Sequence, residues 1–144
     1  MTGNKMFYYC KKMRNEDVMD NSANNKRLPY GSSDGISYFK NLDIADDVEY
    51  AFNPQKPVKV YNGINGIGDS KKYLNSLMGP NNEVIHYERL RSVIGEVDNA
   101  NDENCIILDE YIITFQGASE PKVVYLDIYR SGQLLVPFGL TPRQ

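Results

Sequence analysis

Apolar residues recur at two different spacings along this chain, and the change of spacing divides it into elements. Tyr73, Leu74, Leu77 and Met78 fall three and four apart on one stripe, which predicts an amphipathic helix over 69–78. Asp69 and Ser70 are N-cap residue types at its start, and Gly79-Pro80 is a Gly-then-Pro stop at its end. Beyond Asn82 the spacing falls to two. Residues 83–93 predict a strand, 105–115 a long apolar strand, and 122–129 its partner across a short turn. So short a link predicts an antiparallel hairpin. Neither run holds an internal Pro, and polar alternation in both is weak, which places the hairpin at the centre of its sheet. Residues 133–136, ahead of Pro137, predict a short edge strand.

The stretch before the helix is less regular. Val48, Tyr50 and Phe52 alternate with Glu49 and Ala51, predicting one strand, and Val58-Lys59-Val60-Tyr61 predicts another. Tyr38, Phe39, Leu42 and Ile44 are expected to dock on the core in irregular form or as a single helical turn. Together the elements predict an α+β fold: one main helix packed on an antiparallel, coiled sheet of four to six strands. Residues 1–36 carry little that can be buried and are rich in Asn, Ser and Gly, so they are read as a flexible arm or linker, with 37–144 as a single domain.

Composition narrows the function. The 144 residues suit one domain and are too few for an eight-stranded α/β barrel. Net charge is −3, with +3 in residues 1–29 and −6 in the rest. The basic excess lacks the density and interleaved aromatics of a nucleic-acid arm, so no nucleic acid is expected as partner. No apolar run is long enough to span a bilayer. A single His rules out a multi-histidine metal centre within one chain. Cys10 and Cys105 are read as free thiols, with one disulfide as the alternative. The first ten residues lack the apolar core of a secretory signal, so the expected compartment is cytoplasmic. A periplasmic or lipid-anchored location is the alternative if a signal has been removed.

Three sets of residues offer chemistry. Gly63-x₄-Gly68 has the glycine spacing of a phosphate loop between strand and helix, but Asp69 stands where that motif needs Lys. His86 and Glu88, two apart on a strand, share a face and have the types of a base and its orienting carboxylate. Asp109 and Asp127 each interrupt an apolar strand and could face each other across the hairpin as a carboxylate pair. Each set has a structural reading: helix capping for the first, a surface strand histidine for the second, and cross-strand pairing with Arg89, Arg91, Lys122 or Arg130 for the third. Eleven tyrosines and no Trp suggest an amphipathic interaction face, with Tyr87, Tyr111, Tyr125 and Tyr129 as its binding residues.

From Leu42 to Leu140 the chain resembles a family of small bacterial proteins, many with a lipoprotein signal. The resemblance rests on Tyr50-Ala51-Phe52, Lys56-Pro57-Val58, Tyr73-Leu74, Gly79-Pro80-Asn81, Tyr87-Glu88-Arg89, Leu108-Asp109, Tyr125-Leu126 and Val136-Pro137. Some members carry the label 2-dehydro-3-deoxyphosphooctonate aldolase, which implies a barrel longer than this chain. The family pattern has Gly-Ser-Cys after its Tyr-x-Arg element, where this chain has Arg91-Ser92-Val93 and no thiol.

The residues together point to a non-enzymatic binding module of the immunity, inhibitor or accessory type. A protein is the expected partner, and no cofactor or metal is expected. The alternative is a small hydrolase or isomerase working through His86 and Glu88, or through Asp109 and Asp127.

Overall fold

The computed structural model describes residues 30–33, 36–61, 66–96 and 105–144. The strands are β1 (Tyr30–Ser33), β2 (Ile36–Phe39), β3 (Asp43–Ile44), β4 (Val58–Lys59), β5 (Leu77–Met78), β6 (His86–Glu96), β7 (Cys105–Thr114), β8 (Lys122–Asp127), β9 (Leu135–Val136) and β10 (Thr141–Pro142). The one helix among the described residues, α1, spans Gly66–Asn75. No helix among them is long and apolar enough to cross a membrane.

The fold is α+β, and its main sheet has four strands in the order β4-β8-β7-β6. The β7–β8 hairpin lies at the centre. Its apolar runs fit that place, because a central strand buries side chains on both faces: Ile106, Leu108, Tyr111, Ile113, Val124 and Leu126 are all buried. The expectation of a wholly antiparallel sheet is corrected, since β4 runs parallel to β8, Val58 beside Leu126 and Lys59 beside Asp127.

Four more expectations about elements change. The helix starts earlier and ends earlier than 69–78. Asp69 and Ser70 are therefore buried inside the helix rather than capping it, and Asp69 lies in the first turn, where a negative charge suits the helix dipole. The Ser76 hydroxyl donates to the Lys72 carbonyl at 2.8 Å and accepts the Phe39 N–H at 2.8 Å. The Arg143 N–H donates to the Ser76 carbonyl, and the Arg143 side chain donates to that of Asn75. These partners satisfy the helix end, and Leu77 and Met78 go instead to β10. Tyr73, Leu74 and Leu77 remain buried as the stripe predicts, in one cluster with Val58, Tyr111, Val124 and Leu126.

Residues 48–52 form turns, not a strand. Alternation there was misleading because Ala51 sits at a φ of 73°, outside extended geometry. The Tyr50 and Phe52 N–H groups donate to the carbonyls of Asp47 and Glu49. Residues 135–136 do form a short strand, but it leaves the main sheet and pairs in parallel with β3. Finally, Tyr38 and Phe39 dock in the core as strand β2, while Ile44 on β3 is 47% exposed rather than docked.

Within the stretch read as an arm, β1 pairs with β2, Ser33 opposite Ile36. The two residues between them in the sequence are Asp34-Gly35, a composition that favours tight hairpins. Residues 1–29, and with them Cys10 and the basic cluster, lie outside the described residues, as does the glycine loop at 62–65.

Candidate functional site

The sheet brings the sequence-derived candidates to places that separate them. His86 and Glu88 do share a face of β6, opposite Thr114 and Ile112. Both are exposed, and among the described residues no hydrogen bond joins them. No base and orienting carboxylate is assembled there.

Asp109 and Asp127 do not face each other. The register sets Asp109 beside Leu126, so Asp127, the next residue, points to the opposite face. Each carboxylate is also occupied. Asp109 accepts from Ser92 Oγ at 2.8 Å and from Arg89 Nη2 at 3.1 Å, and Arg89 also donates to Ser92. The Asp109 carboxylate beside Arg89 raises the guanidinium's pKa further. Asp127 accepts the backbone N–H groups of Tyr129 and Arg130 and pairs with the Arg130 guanidinium. A third buried carboxylate, Glu110, pairs with Arg91 at 2.9 Å. Charges removed from water need such partners, and these supply them.

The four tyrosines do not form one surface. Tyr87 and Tyr111 share a face and meet edge to face at 6.2 Å, with Tyr111 buried in the core. The Tyr87 hydroxyl donates to Asn75 Oδ1 at 2.9 Å. Tyr125 lies opposite Glu110 on the other face, and Tyr129 follows the end of β8. Burial raises the phenol pKa of Tyr87, Tyr111 and Tyr125.

What the topology does expose is an edge. β6 is an outer strand of eleven residues, and among the described residues nothing pairs with its far side. In a paired strand, alternate residues turn their N–H and C=O groups away from the neighbour, so an open edge offers a row of donors and acceptors. Leu90 and Ile94 stand exposed on it, at 48% and 37%. Val84, two residues before it, is also exposed. Leu90 sits at the irregularity between Arg89 and Arg91, where the register with β7 shifts. Such a bulge re-aims a side chain. The flanking Arg89 and Arg91 have their charge balanced from inside the sheet by Asp109 and Glu110.

Sequence reasoning passed over Leu90 and Ile94. A signal was present, since Glu88, Arg89, Arg91 and Ser92 make this the most polar of the three long strands, which suits an edge. Among the described residues, no group of three or more His, Cys, Asp and Glu side chains could hold a metal ion. No family model, curated protein or solved structure matches the chain.

Proposed function

We propose that the protein is a non-enzymatic interaction module that binds a protein partner through the open edge of β6. One observation carries this reading: an eleven-residue outer strand that presents Leu90 and Ile94 to solvent. Exposed apolar side chains on an unpaired edge favour docking by strand addition, in which main-chain hydrogen bonds supply affinity and side chains supply specificity. The pairing of exposed Arg89 and Arg91 with buried Asp109 and Glu110 supports it, because it balances the charge that commonly guards an edge. The resemblance to small bacterial proteins belongs to the same proposal and rests on its short motifs alone.

The test places a photo-cross-linking amino acid at Leu90 or Ile94, and at exposed Glu120 as control, in the cells the protein comes from. The expected result is a discrete cross-linked protein at the two β6 positions, lost in a chain that also carries Ile94→Arg or Leu90→Arg at the other position. Equal cross-linking from Glu120, or none from β6, would overturn the reading.

A further inference from the structure

A cleft lies on the other side of the main sheet, and it has no part in the edge reading. It measures about 560 Å³ and opens between the turn that holds Tyr50 and the segment that holds Arg130 and Gln133, with Lys59 of β4 on its wall. That volume is in the range of small-molecule sites, roughly 300–1,000 Å³.

The charges decide what it could hold. Lys56 is claimed twice, by Asp47 at 2.9 Å and by Glu49 at 2.9 Å. Arg130 is claimed by buried Asp127. Lys59 has no ion pair among the described residues, and its stem packs beside Gly132. Of the three cations that line the cleft, Lys59 is therefore the one that no carboxylate among the described residues pairs with. A dianion such as phosphate would bring two charges to this single cation and lie close to the Asp47 wall. A monoanion brings one charge to the one ammonium without an ion pair. The remaining lining is neutral and polar. Gln55 and Gln133 bring side-chain amides, each both donor and acceptor, while Tyr50 and Pro57 add apolar ring surface.

We infer that this cleft is a binding site for a small hydroxylated or amide-bearing monocarboxylate, of the kind represented by a sugar acid or an N-acylated amino acid. The carboxylate sits at Lys59. Hydroxyl or amide groups exchange hydrogen bonds with Gln55 and Gln133, and the carbon skeleton lies against Tyr50 and Pro57. A charge-assisted contact of this kind is stronger than a neutral hydrogen bond, so Lys59 sets the class of ligand.

The test titrates the full chain with D-glucuronate, N-acetylglycine, D-glucose and inorganic phosphate, following backbone and side-chain amide resonances. Either monocarboxylate should move the signals of Lys59, Gly132, Gln55 and Gln133 saturably. Glucose and phosphate should bind more weakly. Lys59→Gln should weaken binding about tenfold, while Lys59→Arg retains it. The Lys59 side chain is on the wall and not in the core, so a well-dispersed spectrum of Lys59→Gln confirms folding. Phosphate binding tighter than both carboxylates, unchanged affinity in folded Lys59→Gln, or no saturable shift with either carboxylate would overturn the inference.

Discussion

The two edges of the main sheet use the same chemistry to opposite ends. On both, an arginine covers a buried carboxylate. At the β4 edge, Asp127 gathers the Arg130 guanidinium and two backbone N–H groups, which folds the following segment back over the strand. Val60 then bridges to Ser131, and the Tyr61 N–H donates to the Arg130 carbonyl. The chain just past β4 is thereby closed off by that segment. At the β6 edge, Arg89 and Arg91 reach across to Asp109 and Glu110 on the neighbouring strand, so the pairs lie within the sheet and the far side stays open. The two arrangements differ in sequence distance: the Asp127–Arg130 pair, three residues apart, closes a turn, and the pairs about twenty apart tie two strands.

The largest effect should come from breaking the closed turn at the β4 edge. Asp127 is 1% exposed, and Asp127→Ala strands two N–H groups and an arginine. A loss of about 3 kcal/mol is expected in urea unfolding, with faster amide exchange at Val60 and Tyr61. A loss no greater than that of Arg89→Ala would erase the distinction between the edges.

Glycines sharpen the same contrast. A methyl group at Gly95 on β6 would stand 2.8 Å from Leu108 Cδ1, and Leu108 is fully buried. A methyl group at Gly132 would meet Lys59 Cδ at 3.1 Å and Lys59 Cβ at 3.2 Å, a less severe overlap against a half-buried side chain. Gly95→Ala should therefore cost about 1–2 kcal/mol and Gly132→Ala less than Gly95→Ala, read from paired thermal melts. The reverse order would mean that Leu108 yields and the cleft wall does not.

Arg89→Ala should cost about 1 kcal/mol, because half-exposed Arg89 leaves Asp109 still hydrogen-bonded to Ser92. Denaturant midpoints at equal slope give the value.

The smallest effect lies in the turn beside the β4 edge. Lys56, and after it the Glu49 N–H, hold the Asp47 carboxyl below its usual range. A depressed folded-state value means stability that is present above the unfolded carboxylate value and is lost as pH falls through the folded one. The carboxyl resonance of Asp47 should titrate low, and Lys56→Met should return it toward the usual range. The pair is exposed, so the global melting curve should barely move.

Legibility followed the range of the interactions. The β7–β8 hairpin could be read because its apolar runs, short link and missing prolines are all local features. The pairing of β1 with β2 had a local signal in the sequence Asp34-Gly35, but the polar composition around it pointed to an arm instead. By contrast, Val48, Tyr50 and Phe52 alternate as a strand would, yet Ala51 takes a left-handed φ and the segment turns. For the candidate site, the polar character of residues 88–92 was visible. Its meaning as an outer strand depended on which strands pair, and that is a long-range outcome.

By itself, then, the sequence determined the α+β class, the buried stripe of Tyr73, Leu74 and Leu77, and the central hairpin. Each depends on periodicity over a few neighbouring residues, where backbone geometry alone dictates which side chains share a face. Only the tertiary structure decided that the helix stops at Asn75, since Phe39 and Arg143 supply the hydrogen bonds that end it. It also decided that Asp109 and Asp127 lie on opposite faces. Register is the reason: a shift of one residue reverses every side chain on a strand, and the register of β8 on β7 sets Leu126, not Asp127, beside Asp109.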